Sequence, residues 1–565
     1  MKKNLIENGS AKPVNKFTAI RQFAKNEEGS FTVFVLIVFI AVLAATGIGV
    51  DLMNYERDRA TLQSTLDRAV LAAADLDQTE PPKAVVEAYL EKAGLGDKLK
   101  SVKVVDNFGT RTVSATAETV VSTNFMRLTG YDTLTAPAAS VAEESIGAVE
   151  ISLVLDISGS MSERSADPSY SKIAVLRDAA TDFVNLMLNK PGESEISISI
   201  IPYATQVNAG KDLLDKFTNV TQEHSYSHCV NFIPEQYSDA DLHRADTLER
   251  TAHFDPFTYS ENGISIPVCP VRAGSAITAV TNNRAKLLKH ISQLTPNGNT
   301  SIDIGMKWGV ALLDPSMRDV VGLLAQQTDP DPEFSSNKIV PANFSQRPTN
   351  YDSDVLKIVI VMTDGKNTNQ YMLNPSLRQG YSDVWYNPDS GNTTNWRPYS
   401  YGSTKTAHGD YSVYHSQGKP NFFWPQRDQW ADHPYGTPDP ENADNNEPGE
   451  AVRLTYPELF NRVSLAWNAQ YNYYWQSSAW AEWYSKAFSK VETSAKNQRT
   501  KHVCGAAKDK GIVVYGIAFE APRSGYRLLE DCASSKSHVY NVKGLDLEDA
   551  FASIASSIRK LRLTQ

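Results

Sequence analysis

The chain has 565 residues, enough for two to four domains and at least one substantial core. A net charge of −10, with no dense Lys/Arg run, argues against nucleic acid as a partner. The four cysteines, Cys229, Cys269, Cys504 and Cys532, form no CxxC pair, so two local disulfides in an oxidising compartment fit their spacing better than a zinc site; the three pairings stay open.

Residues 1–30 carry Lys2, Lys3, Lys12, Lys16, Arg21 and Lys25 against Glu7, Glu27 and Glu28. Residues 31–50, FTVFVLIVFIAVLAATGIGV, hold no charge, and twenty helical residues at about 1.5 Å each match a bilayer's hydrocarbon core. We expect a single transmembrane helix. A cleaved signal peptide is the competing reading, but it calls for a shorter apolar region and a clear small-residue cleavage site. Asp51, Glu56, Arg57, Asp58 and Arg59 follow with balanced signs, so the positive-inside rule puts the N-terminus in the cytoplasm and the bulk outside.

Residues 51–145 read as a helical extension and a small α+β module. Leu62, Leu66, Val70 and Ala73 recur every three or four residues, continuing the helix to about Asp77 with a stripe that needs a partner surface. A short helix over 83–93 then leads to strand-like alternation over 99–105 and 110–119.

From 146 to 565 the pattern changes. Strand-like runs at 149–156, 196–201, 356–362, 512–519 and 538–542 alternate with helical stretches at 171–189, 282–293, 302–313, 489–510 and 547–561. That alternation predicts an α/β fold, a doubly wound, mostly parallel sheet of Rossmann type with both faces covered. Polar insertions at about 205–275, 316–353 and 367–485 interrupt it, far longer than ordinary connections. The last holds Trp385, Trp396, Trp424, Trp430, Trp467, Trp475, Trp480 and Trp483; that aromatic density argues against a disordered linker and for either a core of its own or a ligand surface.

The first strand of this region ends in Asp156-Ile157-Ser158-Gly159-Ser160, a D-x-S-x-S run at the carboxyl edge of the sheet, where open α/β sheets bind ligands. A carboxylate and two hydroxyls on one loop make half a site for a hard divalent cation, and Gly159 allows the tight turn. Thr300, in Gly298-Asn299-Thr300-Ser301, and Asp364, in Thr363-Asp364-Gly365, can complete it. In type and order these three loops resemble the von Willebrand factor A family and its metal-ion-dependent adhesion site. The resemblance implies coordination by Ser158, Ser160 and Thr300, with Asp156 and Asp364 close by or bridging through water, around Mg²⁺, or Mn²⁺ or Ca²⁺. It also implies an open position for water or a carboxylate from a protein partner.

At the scale of the whole chain, Gly29-Ser30, the apolar run, Gly47, Gly49, Val50-Asp51 and Leu62-Gln63 through Asp67-Arg68-Ala69 resemble the start of TadG-like proteins of Tad (tight adherence) pilus assembly. So does the tail, with Cys504, the strand over 511–519, Cys532-Ala533-Ser534 and the helix over 546–561. This resemblance implies an inner-membrane-anchored protein with its A domain in the periplasm, acting with other pilus-assembly components in the assembly or anchoring of adhesive pili. It favours pairing of Cys504 with Cys532. Gly29 also matches a prepilin cleavage position, but Phe34 stands where prepilins carry Glu, so processing is not favoured.

No catalytic residue is expected. His224, His228, His253, His408, His415 and His433 all lie in insertions, outside motifs such as HExxH or GxSxG. The alternative to metal-dependent protein binding is a glycan- or peptidoglycan-binding surface on the Trp-rich insert, with the A domain as scaffold.

Overall fold

A computed structural model describes residues 28–75, 78, 80–107, 110–145, 148–188, 195–259, 264–353, 355–391, 409–417, 420–437 and 447–558. The basic residues before position 28, together with Trp396 and His408, lie outside these. The chain divides into two compact units, Met1–Ser145 with Leu561–Gln565, and Ile146–Lys560.

In the first unit the uncharged run and the amphipathic stripe form one helix, α1 (Glu28–Ala74), which ends three residues short of the expected Asp77. Its apolar first half presents Phe31, Phe34, Leu36, Ile37 and Phe39 outward and is long and apolar enough to cross a membrane. The second half buries Leu62, Leu66, Val70 and Ala73 against α2 (Pro82–Lys92) and the antiparallel sheet of β1 (Leu99–Asn107), β2 (Thr110–Ser122) and β3 (Thr133–Ser145). The stripe thus packs on its own module.

The second unit is built on a six-stranded sheet. Its strands are β4 (Val149–Asp156), β5 (Ile196–Tyr203), β6 (Thr278–Thr281), β7 (Leu356–Thr363), β8 (Val513–Phe519) and β9 (Val539–Val542), in spatial order β9-β8-β7-β4-β5-β6. All neighbours run parallel except the β5–β6 pair. Every residue of β4 and β5 is buried, which is why both read as nearly unbroken apolar runs. Helices α3 (Lys172–Met187), α4 (Arg284–Gln293) and α8 (Asp546–Ile558) cover one face. The other face takes α5 (Ile302–Ala311), α6 (Thr493–Asp509) and α7 (Arg523–Cys532).

Helix α5 is buried on all sides, and two glycines set how close it lies to the sheet. A Cβ on Gly305 would meet Val154 at 2.9 Å, and one on Gly309 would meet it at 2.5 Å. Disulfides join Cys229 to Cys269 and Cys504 to Cys532, the latter tying α6 to α7.

The insertions are not independent. Phe254 and Val268 of the first share a core with Leu373, Val384, Tyr411, Phe460 and Trp467 of the third, and Leu465 N–H donates to Asp255 O at 3.1 Å. The third insertion adds a five-stranded antiparallel sheet, ordered 429–431, 422–424, 410–414, 381–387, 452–455. Trp424 and Trp467 are buried, and Trp475 and Trp483 pack against the shared core. Its aromatic density therefore mainly serves its own interior. The second insertion lies at the amino edge of the central sheet, where Arg347 Nη1 donates to Val149 O (3.1 Å) and Ser197 Oγ (2.6 Å).

Within the shared lobe His253 is buried, its ring 5.8 Å from that of His224 and 5.6 Å from that of Tyr226. Burial, with the neighbouring His224, pushes its pKa down to about 4, against a hydrogen bond with Asn461. Burial likewise lowers His290 to about 4. A folded-state pKa below the unfolded value of about 6.5 means that the unfolded chain takes the proton first as pH falls. Stability is then lost from about pH 6.5 down to about pH 4, with a loss from His253 on the order of 2 kcal/mol at pH 5. We expect the melting temperature to fall between pH 7.5 and 5, and His253→Gln to flatten that fall; an unchanged slope in the mutant would remove His253 from the account.

Candidate metal centre

The strand order sets where the site forms. Connections lead from β4 toward β5 on one side and from β7 toward β8 on the other, so the crevice between β4 and β7 is the topological switch point, and its carboxyl end is the ligand-binding position of such sheets. Asp156 is the last residue of β4, and Asp364 follows the last residue of β7.

Asp156 is fully buried. Its Oδ1 accepts from Ser158 N–H at 2.8 Å and its Oδ2 from Thr363 Oγ1 at 2.7 Å, while Tyr203 OH, which donates to Met362 O at 3.0 Å, lies 3.4 Å from Oδ2. Burial and the charge of nearby Asp364 push its pKa up to about 7, against the hydrogen bonds from Ser158 and Thr363. Ser160 Oγ donates to Asp364 Oδ1 at 2.7 Å and lies 3.2 Å from Ser158 Oγ. Asp364 Oδ2 accepts from Lys172 Nζ at 3.0 Å, and the same ammonium reaches Glu163 at 3.1 Å. Burial works against the charge on Lys172, but Asp364 and then Glu163 outweigh it and hold the ammonium above its usual pKa.

Thr300 reaches the cluster because its loop is tied by four residues, Gly159, Thr205, Thr368 and Lys496. Gly159 N–H donates to Gly298 O at 2.9 Å, and a Cβ on Gly159 would sit only 3.2 Å from that oxygen, so the D-x-S-x-S loop and the threonine loop touch through a glycine. Thr205 Oγ1 accepts from Asn299 N–H (2.9 Å), and Thr368 Oγ1 accepts from Thr300 N–H (2.9 Å). From beneath, the fully buried Lys496 donates to Thr300 O at 3.1 Å and to Ser301 Oγ, with Asp303 at 3.7 Å as its counter-charge. Burial pushes Lys496 down to about 8, against the charge of Asp303.

The five residues singled out in the sequence are thus brought to one place. A point one Cβ bond from Gly365 lies 3.7 Å from Thr300 Oγ1 and 4.0 Å from Ser160 Oγ, so these hydroxyls converge on shared space. The donor set is all oxygen, three hydroxyls and two carboxylates, and suits a hard divalent cation; burial and the neighbouring Asp364 charge are what raise Asp156, and of these two carboxylates Lys172 balances Asp364 alone. Among the described residues no group of three or more His, Cys, Asp or Glu side chains is placed to hold a metal, so any cation here would rest on the hydroxyls. Sequence reasoning missed Lys172, Tyr203, Thr363 and Lys496. Thr363 alone carried a signal, as the neighbour of Asp364 at a strand end.

Residues 29–76 match the family model described as "Putative Flp pilus-assembly TadE/G-like". The amino-terminal segment is TadE/G-like. No curated protein matches the chain. Among solved structures, the chain is similar to the von Willebrand factor domain of the type V pili tip protein Mfa5 from Porphyromonas gingivalis, with 13% identity and a TM-score of 0.29 over 73% of this chain and 95% of that one. It is also similar to the pilus adhesin SpaC from Lactobacillus rhamnosus GG, at 12% identity and a TM-score of 0.28, over 81% of this chain and 33% of that one. A third is proximal thread matrix protein 1 from the mussel byssus, at 10% identity and a TM-score of 0.26, over 74% of this chain and 47% of that one. Scores this low carry no weight, and the von Willebrand factor A-like fold of the second unit rests on its strand order and helix layers.

Because Lys496 and Asp303 are both fully buried, removing one charge strands the other. Lys496→Met should cost on the order of 3 kcal/mol, and Lys496→Met with Asp303→Leu clearly less. Urea unfolding of the two variants checks this, and equal losses would show that the pair is not coupled.

Proposed function

We propose that the chain is a membrane-anchored, pilus-related envelope protein whose A-type domain binds a protein partner through a divalent cation, in the assembly or anchoring of Tad-type adhesive pili. The observation that carries the reading is the oxygen cluster at the switch point, where Ser158, Ser160 and Thr300 converge beside two carboxylates with Lys172 as their counter-charge. The TadE/G-like segment over 29–76 supports the pilus context, and the exposed apolar half of α1 supports a membrane anchor. On this reading the anchor lies in the inner membrane with the bulk in the periplasm, following the basic residues before position 28. Two disulfides accord with an oxidising compartment.

Mg²⁺ is the favoured ion, with Mn²⁺ or Ca²⁺ served by the same donors. The serine and threonine hydroxyls would hold it directly, and Asp156 and Asp364 would orient bound water. A position left open to a carboxylate of the partner makes the contact depend on the metal. The role assigned is binding and not catalysis.

Calorimetric titration of Mg²⁺ and Mn²⁺ into the detergent-solubilised full chain tests the reading. We expect one saturable site that is lost in Asp156→Ala with Ser158→Ala, and a melting temperature raised by saturating metal. No heat and an unmoved melting temperature in the wild type would reduce the A-type domain to a scaffold. They would turn attention to the partly exposed rings of Trp430, Trp480 and Tyr259, of which Tyr259 and Trp480 lie nearly parallel with centroids 6.0 Å apart, as a glycan-binding surface.

A further inference from the structure

Within the first unit a short loop is fastened to α1 at the level where its uncharged run ends. Asp51, the residue directly after that run, is buried, and its carboxylate accepts three backbone N–H groups: Asn124 at 3.0 Å, Phe125 at 2.7 Å and Met126 at 2.7 Å. A carboxylate so satisfied is a strong strap, since charge-assisted hydrogen bonds are roughly twice as strong as neutral ones. One turn earlier, inside the apolar run, Gly47 lies against the Phe125 ring so closely that a Cβ there would fall 2.3 Å from two ring atoms. Phe125 therefore lies beside the last turn of the apolar helix, about 6 Å along the axis from Asp51 toward its apolar half.

The rest of the loop is apolar and uncovered. Leu128 is 85% exposed, Tyr131 60% and Phe125 41%, and Val50, Leu52 and Met53 of α1 at the same level are exposed too. Hydrogen bonds from Thr123 N–H to Asp132 O (3.1 Å) and from Thr123 Oγ1 to Tyr131 O close the loop, so its display of these side chains is fixed by the fold. The loop joins β2 to β3 at the Ser122 end; the opposite end of that hairpin, at Thr110, lies about 40 Å away for twelve extended residues.

We infer that the loop Asn124–Tyr131 is a second membrane contact, with Phe125, Leu128 and Tyr131 entering the boundary between headgroups and acyl chains of the leaflet from which α1 emerges. The inference rests on the membrane-anchor reading of α1. What commits the surface to lipid is its continuity with the apolar run: Gly47 belongs to the stretch that would sit in hydrocarbon, and Phe125 is packed on it. The composition agrees, because Tyr and Phe favour the membrane interface, and the exposed charges of the loop, Arg127 and Asp132, are paired with each other at 3.0 Å. The module of α2 and β1–β3 is then docked on the bilayer at two points, with Asp51 setting the angle at which α1 leaves it.

The test uses the full chain in vesicles of phosphatidylethanolamine and phosphatidylglycerol, with bimane on a single new cysteine; the four native cysteines are in disulfides and stay unlabelled. The positions are Leu128→Cys, Leu36→Cys in the apolar run, and Lys103→Cys, which is exposed and pairs with Ser114, about 27 Å from Ser122 along the hairpin. Leu128 should be quenched several-fold more than Lys103 by lipids brominated near the headgroup and several-fold less by aqueous iodide, and Leu36 should respond best to deeply brominated lipids. Asp51→Asn should lower quenching at Leu128 and leave Leu36 unchanged. If Leu128 behaves as Lys103 does while Leu36 is quenched, the span stands and the loop contact is overturned. Leu128 shielded from both bromine and iodide would place a protein surface over the loop and likewise overturn it. An unquenched Leu36 would overturn the anchor, and the loop contact with it.

Discussion

Two carboxylates at the ends of adjacent parallel strands dominate this structure. β4 and β7 are neighbours whose chains turn away in opposite directions, so Asp156 and Asp364 meet in a crevice that no helix or crossover fills. Neither is open to solvent, and the proximity of their charges is one reason why Asp156 holds its proton so far above the usual range. Everything around them serves to make that juxtaposition tolerable. Thr363 and the Ser158 N–H satisfy Asp156, Ser160 and Lys172 satisfy Asp364, and the Thr300 hydroxyl reaches the space beside them.

That arrangement requires α5 to start in the right place, and small residues put it there. Gly305 and Gly309 let the helix lie directly on Val154, and the buried Lys496 then fixes its first turn through Thr300 O and Ser301 Oγ. At the opposite edge of the same strands a second buried ionic group does comparable work: Glu150 of β4 and Lys357 of β7 are register partners, joined at 2.5 Å, with Arg347 bracing the edge. The central strands are therefore held by charge at both ends and by aliphatic packing between. A buried pair of this kind is weak evidence of added stability, because desolvation offsets the attraction, whereas losing one partner would strand the other charge.

The sheet was readable because buried parallel strands write themselves as apolar runs, and five of the six were legible to within two residues. β6 was not, since four residues with a threonine at each end, paired antiparallel at the sheet edge, look like any loop. The three loops of the oxygen cluster were legible through spacing and residue type. Lys172 and Lys496 were hidden for a general reason: a lysine near a helix start reads as solvated, and only tertiary packing shows that each is an interior counter-charge. The insertions were legible as length and aromatic content. That the first and third fold into one lobe depends on contacts such as Leu465 with Asp255, between segments some two hundred residues apart, which no local pattern records.

On the proposed reading, the lobe and the cation site are mechanically connected. Thr368, which accepts from Thr300 N–H, and Asn367, whose side chain accepts from Ile302 N–H at 2.8 Å, stand at the entrance to the third insertion; Lys496 stands just past its exit. The loop that would grip the metal is thus held by both stalks of the lobe. A cation bound by Thr300 would compete with Lys172 for Asp364 and draw on the backbone of that loop, and a shift there would be felt at Thr368 and Lys496 as well as at Gly159 and Thr205. The reverse also holds, since coupling between two sites is reciprocal in free energy: a partner seated on the lobe would alter cation affinity by the factor by which the cation alters the partner's.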